Sequence, residues 1–550
     1  MTARVLVVIP ARGGSKGIPR KNLRPLAGKP LLWHSVQSAR SADPSWTVAV
    51  STEDSEIALM AERFGASVIL RPPALAGDKV TIDPVVVDAA AQAEARAGAA
   101  FDVVVTVQPT SPLLEAQDLR DGVRRLLDSG ADTVISVVDD RHLRWRREPD
   151  GRAVPAYAAR VNRQQLPAEF RETGAIVCCR REVLATGTRL GKTIELLEVA
   201  PEKAVDIDSF SDLALCEFLL SRKTIIFVIA GNARIGLGHA YRGLVIAHEL
   251  VQHHLEFLVP EGDELAAEVI RSRFYPVQVV PRERLLAEIA RLRPHVVVND
   301  ILDTEAGFIR AQKRLGARVV NFEDLGSGMD DADVVVNALY EKRDADPRVL
   351  SGPEYFCLRD EFLYLHEEPP PKQGVTLLAT FGGVDEGNLT CRTLEAWRAL
   401  GDISGTRLDI VLGPGYGHAA ALDQARAGLD PKRVSISPAT TRISDHMLAA
   451  DVALTSGGRT VFELAALRVP TVVVCQNERE LTHTFASEAN GIVNLGHRDR
   501  VTQDQLVRAL REVLTSAERR AEMARKVSTF DFTQGKARVI AAINRLLQPA

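Results

Sequence analysis

The chain has 550 residues, which is more than a single hydrophobic core supports, so several domains are expected. Hydrophobic residues make up 46% of the chain and charged residues 25%, the composition of an ordinary globular protein. The formal net charge of −4 leaves no overall positive field to hold a polyanion, which excludes nucleic acid as a partner.

The six cysteines show neither C-x-x-C spacing nor grouping with histidines, so neither structural zinc nor a disulfide framework is expected. A strand pattern follows the start of the chain without a signal-peptide core. No apolar run approaches the roughly 20 residues that span a bilayer. These patterns predict a cytoplasmic protein without a membrane span.

Short β-branched runs alternate with helical patterns along the whole chain, which is typical of α/β folds with mostly parallel sheets. Amphipathic helices are predicted near the end of the chain, at 503–514, 517–526 and 536–547. The predicted strands, in chain order, are 5–9, 47–51, 103–107, 133–138, 225–230, 296–299, 334–337, 376–380, 409–412 and 472–475.

Two breaks divide this pattern. Near residue 222 a helix ends and a new strand leads into a glycine turn. At 367–374 a run of prolines removes backbone donors and favours an extended connection. We therefore expect domains at 1–222, 223–368 and 373–550.

A glycine-rich, basic loop follows the first predicted strand, with the sequence Arg12-Gly13-Gly14-Ser15-Lys16-Gly17. Glycines allow the backbone to approach a phosphate closely, and successive amides form an anion-binding concavity. Arg12, Lys16 and Lys21 add three cations, so the loop predicts a polyphosphate ligand. It fits neither the Walker A pattern nor the dinucleotide pattern G-x-G-x-x-G.

This loop and five later segments, 50–54, 71–78, 108–113, 163–167 and 205–208, together resemble the CMP-sialic acid (N-acylneuraminate) cytidylyltransferases over most of residues 4–220. The resemblance implies a Rossmann-like nucleotidyltransferase domain that transfers CMP from CTP to a sialic-acid-like nonulosonic acid and releases pyrophosphate. Homodimers are common in that family, so a homodimer is a possible assembly. The alternative substrate is the eight-carbon sugar of the related 3-deoxy-manno-octulosonate cytidylyltransferases.

The resemblance also implies roles for individual residues. Arg12 and Lys21 would be the catalytic cations on the CTP phosphates, and Asn22 and Arg71 would hold the nucleoside. Arg171 is expected to bind the carboxylate of the sugar. The implied substrate-binding residues of this half are Ser15, Lys16, Asn22, Arg71, Gln108, Arg163, Gln165 and Arg171.

Asp206 and Asp208 alternate with Ile207 in a stretch that reads as a strand. Alternation places both carboxylates on one face, and magnesium prefers such oxygen ligands. The pair therefore predicts a Mg²⁺ site in the first half.

In the second half, a glycine turn at 231–238 places His239 at the start of a predicted helix. The positive end of the helix dipole disfavours the protonated imidazole, which suits this histidine to act as a base.

Segments 236–242, 358–362, 381–385 and 456–460 resemble the UDP-sugar hydrolase of pseudaminic acid biosynthesis and the related spore-coat polysaccharide proteins. This resemblance spans roughly residues 225–497 and implies a two-lobed GT-B-like half that binds a UDP-sugar. His239 would activate water, and no cofactor is expected. The implied binding residues are Gly382, Gly383, Ser456, Gly457 and Gly458 for the diphosphate, Glu463 for the ribose and Asn477 near the reacting sugar.

Three interpretations of the second half stay open: a hydrolase, a glycosyltransferase, and a nucleotide-sugar-binding module without turnover, in that order. The first interpretation predicts a bifunctional enzyme of nonulosonic acid and cell-surface glycan biosynthesis, with pseudaminic or legionaminic acid among the candidate sugars.

Overall fold

The computed structural model describes residues 3–14, 17–77, 79–341, 346–365 and 374–548. Ser15, Lys16, Asp78 and most of the predicted break at 367–374 therefore lie outside the described residues, as does the expected domain start at 373. The chain divides into two units, Met1–Arg222 and Lys223–Ala550, here called unit 1 and unit 2.

Unit 1 is built from short buried strands and helices that alternate along the chain. Its strands are β1 (Val5–Pro10), β2 (Pro25–Leu26), β3 (Lys29–Pro30), β4 (Thr47–Thr52), β5 (Ser67–Leu70), β6 (Val103–Val107), β7 (Thr133–Asp139), β8 (Trp145–Arg147), β9 (Ala153–Pro155), β10 (Phe170–Arg180) and β11 (Ile194–Glu198). Its α-helices are α1 (Leu31–Ala42), α2 (Ser55–Arg63), α3 (Ile82–Ala97), α4 (Ala116–Ser129), α5 (Arg181–Leu184) and α6 (Phe210–Ser221).

The main sheet of unit 1 has the order β11-β7-β10-β6-β1-β4-β5. Strand β10 runs antiparallel to β6 and β7, and the other neighbours are parallel. The valine-rich β1 and β6 are almost wholly buried, as expected for strands covered on both faces. The carboxyl ends of β1, β4, β5 and β6 consequently meet at one edge, where ligands of such sheets bind.

The first lobe of unit 2 is an all-parallel sheet of seven strands in the order β14-β13-β12-β15-β16-β17-β18. Its strands are β12 (Thr224–Ile229), β13 (His254–Pro260), β14 (Val277–Val280), β15 (Val296–Asp300), β16 (Arg318–Phe322), β17 (Val334–Asn337) and β18 (Val349–Ser351). Its helices are α7 (Gly238–His248), α8 (Glu264–Arg271), α9 (Leu285–Leu292), α10 (Ala306–Arg314) and α11 (Asp360–Leu363).

The second lobe is an all-parallel sheet of six strands in the order β21-β20-β19-β22-β23-β24. Its strands are β19 (Val375–Ala379), β20 (Thr406–Val411), β21 (Val434–Ser437), β22 (Val452–Thr455), β23 (Thr471–Cys475) and β24 (Ile492–His497). The helices that follow in the chain are α12 (Leu389–Leu400), α13 (Ala419–Arg426), α14 (Ile443–Ala449), α15 (Thr460–Ala466), α16 (Gln503–Thr515), α17 (Ala517–Val527) and α18 (Gly535–Leu547).

The last helix, α18, leaves the second lobe and completes the core of the first. Val539 and Ile543 are fully buried there, in one hydrophobic cluster with Phe227 and Phe257. Lys536, at the start of α18, pairs with Glu249 of the first lobe. Two parallel sheets tied together in this way confirm the predicted α/β class with a two-lobed second half.

All six cysteines are free and buried. Within the described ranges, no helix combines the length and the apolar composition that crossing a membrane would require.

Candidate active sites

The basic loop of unit 1 lies at the carboxyl edge of the sheet and is held there by neighbouring segments. The Gly13 N–H donates to Glu53 Oε1 at 2.7 Å, directly after β4. Asn22 is buried and donates from Nδ2 to the Arg12 carbonyl oxygen at 2.9 Å. Asn22 therefore orders the loop, and the structure gives it a positioning contact beside its implied contact with the nucleoside.

Arg71 brings a second cation to this edge. Its side chain is buried, donates from Nη2 to the Ser51 carbonyl oxygen at 2.8 Å and lies 3.7 Å from Glu53. Burial, and further the charge of Arg12, lower the pKa of Arg71. Two arginines within electrostatic range at the mouth of an amide-rich loop form a site that an anion would stabilise.

Lys21 and the two aspartates close the other side of the loop. Lys21 Nζ donates to the Ile207 carbonyl oxygen at 2.7 Å and lies 3.1 Å from Asp208 Oδ1. Residues 205–208 form no strand, so that expectation is wrong. The Ile207 N–H donates to the Thr110 carbonyl oxygen, which lies in a loop, and the stretch joins no sheet. Ile207 is nevertheless buried between two exposed aspartates, and the charge of Lys21 acts on both carboxylates.

The donor set of Asp206 and Asp208 fits magnesium, which takes one or two carboxylates and completes its shell with water and phosphate oxygens. Partial desolvation, and then the charge of Asp208, raise the pKa of Asp206, as expected for two neighbouring carboxylates. No group of three or more potential metal ligands occurs among the residues that the structure describes.

The implied sugar side is more open. Gln108 follows β6 and donates its backbone N–H to the Ala175 carbonyl oxygen at 3.1 Å, beside the irregular part of β10 at Gly174. Arg163 and Gln165 lie in an exposed 3₁₀ turn. Arg171 is half exposed and has its Nε 4.0 Å from Asp140 Oδ2. The structure thus leaves these side chains accessible without drawing them into one tight cluster.

A cleft of about 530 Å³ lies in unit 2, with residues of both lobes in its wall. Six of the implied residues line it together with His239, and Gly457 is the exception. The six are Gly382, Gly383, Ser456, Gly458, Glu463 and Asn477.

His239 is the second residue of α7, and its ring is held by a buried carboxylate. Nδ1 lies 2.5 Å from Asp300 Oδ1, at the end of β15. An ionised carboxylate only accepts hydrogen bonds, so Nδ1 carries a proton toward Asp300, and in the neutral ring the lone pair is then on Nε2. This is the arrangement of a general base.

Arg242, one turn further along α7, keeps Asp300 ionised. It donates to both oxygens of that carboxylate, from Nε at 2.7 Å and from Nη2 at 2.6 Å. Burial alone would raise the pKa of Asp300, but the charge of Arg242 and the hydrogen bonds from Arg242 and His239 outweigh it and hold the pKa below the usual aspartate range.

Glu323 extends this network on the far side of Arg242. Its Oε1 accepts from Arg242 Nη1 at 2.9 Å, while its buried Oε2 has no hydrogen-bond partner among the described residues. Burial raises the pKa of Glu323 to about 7, although the Arg242 charge opposes the shift. Its φ of 51° is unfavourable for a residue with a side chain, a strain that folded proteins concentrate at functional sites.

The structure brings the two implied phosphate loops of the second lobe to the cleft, except for Gly457. Gly382 has a φ of +75° and open space around its Cα, which suits a close approach by a ligand. The Gly457 N–H, however, already donates to Glu480 Oε2 at 2.9 Å, and Gly457 is not among the residues that line the cleft. Glu480 is half-buried and also accepts from the Gln476 N–H at 2.7 Å, so it links this loop to the end of β23.

Two other implied residues already have protein partners. Glu463 Oε1 accepts from Arg359 Nε at 2.8 Å. Asn477 Oδ1 accepts from the Glu480 N–H at 3.0 Å. Both side chains line the cleft while they hold its wall in place.

Arg479 of the second lobe binds three groups of the first lobe. It lies 3.0 Å from Asp303 Oδ1, donates to the Tyr340 hydroxyl at 2.8 Å and donates to the Glu323 carbonyl oxygen. His483 lies nearby, and burial lowers its pKa to about 4, so it is neutral at neutral pH.

Four residues of the candidate sites were not predicted from the sequence. Glu53 in unit 1, and Asp300, Arg242 and Glu323 in unit 2, act on residues far away in the chain. The available signal was local: Arg242 lies three residues after His239 on one helix face, and Asp300 ends a run of buried valines.

Two family models match parts of the chain. Residues 6–189 match the family described as cytidylyltransferase. Residues 389–539 match the family described as glycosyltransferase family 28 C-terminal domain. The second match lies in the second lobe of unit 2 and favours a glycosyltransferase-like domain over a hydrolase.

Individual proteins agree with the first match. The N-acylneuraminate cytidylyltransferase A of Danio rerio is 32% identical over 220 residues, which cover 39% of this chain and 50% of that protein. The CMP-N,N'-diacetyllegionaminic acid synthase of Legionella pneumophila is 40% identical over 121 residues, which cover 22% of this chain and 52% of that protein. The chain spans about half the length of the first curated relatives it matches.

The crystal structure of MurG from Acinetobacter baumannii is similar to 59% of this chain over 99% of its own length, with 17% sequence identity and a TM-score of 0.44.

Proposed function

We propose that unit 1 transfers CMP from CTP to a nonulosonic acid and releases pyrophosphate. The cytidylyltransferase match of residues 6–189 supports this proposal. The observation that carries this proposal is the convergence of Arg12, Arg71, Lys21 and the Asp206–Asp208 pair on one basic, glycine-rich loop. The relatives named for N-acylneuraminate and legionaminic acid support an acidic sugar as the acceptor of CMP.

The chemistry asks little more than alignment and charge neutralisation. Arg12, Lys21 and the loop amides would bind the triphosphate, so that the anomeric hydroxyl of the sugar can attack the α-phosphorus. Asp206 and Asp208 would hold Mg²⁺, which when bound neutralises charge on the phosphates. Arg171 would bind the carboxylate that distinguishes a nonulosonic acid from a neutral sugar.

The test is pyrophosphate release from CTP in the presence of Mg²⁺ and a panel of nonulosonic acids. The panel includes N-acylneuraminate, legionaminic and pseudaminic acids, and 3-deoxy-manno-octulosonate as the eight-carbon alternative. We expect turnover with a nine-carbon acid that is lost in Lys21→Ala and Asp208→Ala. An absence of CTP turnover with every acid would refute the proposal.

For unit 2 we propose a glycosyltransferase that uses a UDP-sugar as donor. The observation that carries this proposal is the His239–Asp300 pair in the cleft beside Gly382 and Ser456, because it offers a base where an acceptor hydroxyl would meet the donor sugar. The family match of the second lobe supports transfer to a sugar acceptor rather than to water.

UDP release from candidate UDP-sugars, with and without sugar acceptors, separates the three interpretations. A transferase releases UDP only with an acceptor, and a hydrolase releases it without one. A binding module releases none and binds equally well after His239→Ala. CTP and UDP-sugars are cytoplasmic metabolites, which supports a cytoplasmic location for both reactions.

A further inference from the structure

The arginines that line the unit 2 cleft differ in whether they form a salt bridge with a carboxylate. Five arginines line this cleft. Three of them form salt bridges: Arg242 with Asp300 and Glu323, Arg359 with Glu361 and Glu463, and Arg479 with Asp303.

The other two, Arg234 and Arg459, have no carboxylate within 4.0 Å among the residues that the structure describes. Arg234 is exposed, so water can solvate its charge. Arg459 is half-buried and faces the cleft from the second lobe, immediately after Gly458. It therefore stands out as a partly desolvated cation that has no carboxylate in direct contact among the described residues.

Arg459 is held in one place by contacts that, among the described residues, use one of its donors. Nη2 donates to the Cys357 carbonyl oxygen at 2.8 Å, and the guanidinium carbon lies 4.4 Å from the centre of the Phe356 ring. Its Cδ packs so closely on Gly238 that a Cβ at that glycine would lie 3.1 Å away. A guanidinium has five N–H donors, and the Cys357 carbonyl takes one of them.

These contacts place the Arg459 side chain against Gly238, the residue that precedes His239 in the chain. Burial, and then the charge of Arg242, lower the pKa of Arg459 to about 10, so the protein disfavours its charge while keeping it protonated at neutral pH. A desolvated cation is stabilised when an anion arrives next to it. The cleft is thus lined both by a base and by a partly desolvated cation that has no carboxylate in direct contact, although the charges of Glu463 and Glu323 act on it from farther away.

We propose that Arg459 binds the phosphate of the nucleotide that leaves the donor sugar. This proposal rests on the nucleotide-sugar function proposed for unit 2 and deepens it. As the bond between the anomeric carbon and the phosphate oxygen breaks, its electron pair stays on the phosphate, where Arg459 neutralises the charge. The acceptor oxygen bonds to the anomeric carbon, and its proton goes to His239 Nε2.

The shared chemistry is a phosphate-terminated nucleotide, which a UDP-sugar or a CMP-sugar could supply. Isothermal titration of the full-length protein with UDP, with CMP and, by competition, with uridine distinguishes these sources. The variants are Arg459→Met and Arg459→Lys, with Arg426→Met as the matched control on the outer surface of the same lobe, where Arg426 pairs with Asp423.

We expect the Kd for UDP to rise at least about tenfold in Arg459→Met, because a desolvated charge pair is lost. Arg459→Lys should lose less, since it keeps the charge, and Arg426→Met should match the wild type. Uridine, which lacks the phosphate, should bind equally to all four proteins. Thermal melts confirm that each variant folds, and Arg459→Gln replaces the methionine variant if the latter does not.

An equal Kd for UDP in the wild type and Arg459→Met would overturn the assignment of Arg459 and leave the proposed function intact. Binding of CMP in place of UDP, weakened by Arg459→Met, would support the assignment and overturn the UDP-sugar donor. Failure of the wild type to bind either nucleotide would overturn the proposed function together with this inference.

Discussion

Asp300 is the residue on which the chemistry proposed for unit 2 depends most, because it sets both the tautomer and the orientation of His239. In Asp300→Asn the amide can donate to Nδ1, which would move the ring proton to Nε2 and remove the base. We expect kcat for UDP release to fall by about 10²- to 10⁴-fold, the usual contribution of a general base, with little change in KM. Steady-state kinetics measures both.

Asp331→Asn is the matched control, because Asp331 pairs with the exposed Arg310 on the outside of the same lobe. It should behave as the wild type. A kcat for Asp300→Asn within a few-fold of that control would show that His239 does not act as the base.

Glu323 predicts a pH dependence of stability. Its pKa is raised from 4.5 to about 7 in the folded protein, so the folded state holds this proton more tightly than the unfolded chain. Its contribution to the free energy of unfolding therefore falls as pH rises from about 4.5 to 7. Glu323→Gln removes the titration, so the stability of the wild type relative to this variant should decrease between pH 5 and pH 8.

Urea unfolding of both proteins at several pH values measures this difference. A difference that stays constant with pH, or that grows as pH rises, would contradict the shifted pKa.

Site residues inside continuous motifs could be predicted from the sequence, whereas the residues that hydrogen-bond to them could not. Arg12, Lys21 and His239 stand in loops whose glycines and charges are visible together. Asp300 lies 61 residues from His239, and Glu323 lies 81 residues from Arg242. Only the parallel strand order brings them together, and a single sequence does not encode that order as a local pattern.

Among the elements, the loop after β1 is fixed against the segment at Asp208. A Cβ at Gly17 would lie 2.3 Å from the Asp208 carbonyl oxygen, whereas a Cβ at Gly14 would meet no protein atom within 4 Å. Gly17→Ala should therefore lower both the melting temperature and CTP turnover, because the loop must move away. Gly14→Ala should keep the melting temperature and lower turnover only by obstructing the bound phosphate.

Melting curves and pyrophosphate release for the two variants test this difference. Equal melting temperatures for Gly17→Ala and the wild type would show that the loop is not held by this contact.

Helix α18 should matter to the stability of the lobe it joins. Ile543 is fully buried in the first-lobe core, so Ile543→Ala should lower the free energy of unfolding by about 2 to 5 kcal/mol. Arg545→Ala, on the exposed face of the same helix, should change it by less than about 0.5 kcal/mol. Urea unfolding followed by circular dichroism compares the two, and similar values would contradict this packing.

Buried parallel strands were the easiest elements to predict, because continuous runs of β-branched residues mark them. All ten predicted strands are present, with ends that differ by at most three residues. The described residues form fourteen further strands that were not predicted, and these include the buried parallel strand β22. Strand β10, which runs antiparallel to β6 and β7, is another of them: its first residues, Phe170 to Glu172, are exposed, and only its later residues enter the core. Such a strand takes its state from its neighbours rather than from its own pattern.

In the whole molecule the two candidate sites lie in separate units, so a substitution in one site should not change the activity of the other. Lys21→Ala should abolish pyrophosphate release from CTP and leave UDP release unchanged, and His239→Ala should do the reverse. Both activities measured on both full-length variants check this expectation. Loss of both activities in either variant, with the fold retained, would contradict independent sites.

The return of α18 to the first lobe also sets an order in time. Unit 1 has all its strands once residue 222 has been synthesised, so it can fold while the remaining chain is still being made. The first lobe of unit 2 has its seven strands by residue 351, yet its core still lacks Val539 and Ile543. During translation that lobe must wait, with an apolar face uncovered, for nearly 200 further residues, roughly 10 to 40 seconds at typical elongation rates. The growing chain is therefore most exposed to chaperone binding and to misfolding in the interval between its first lobe and its last helix.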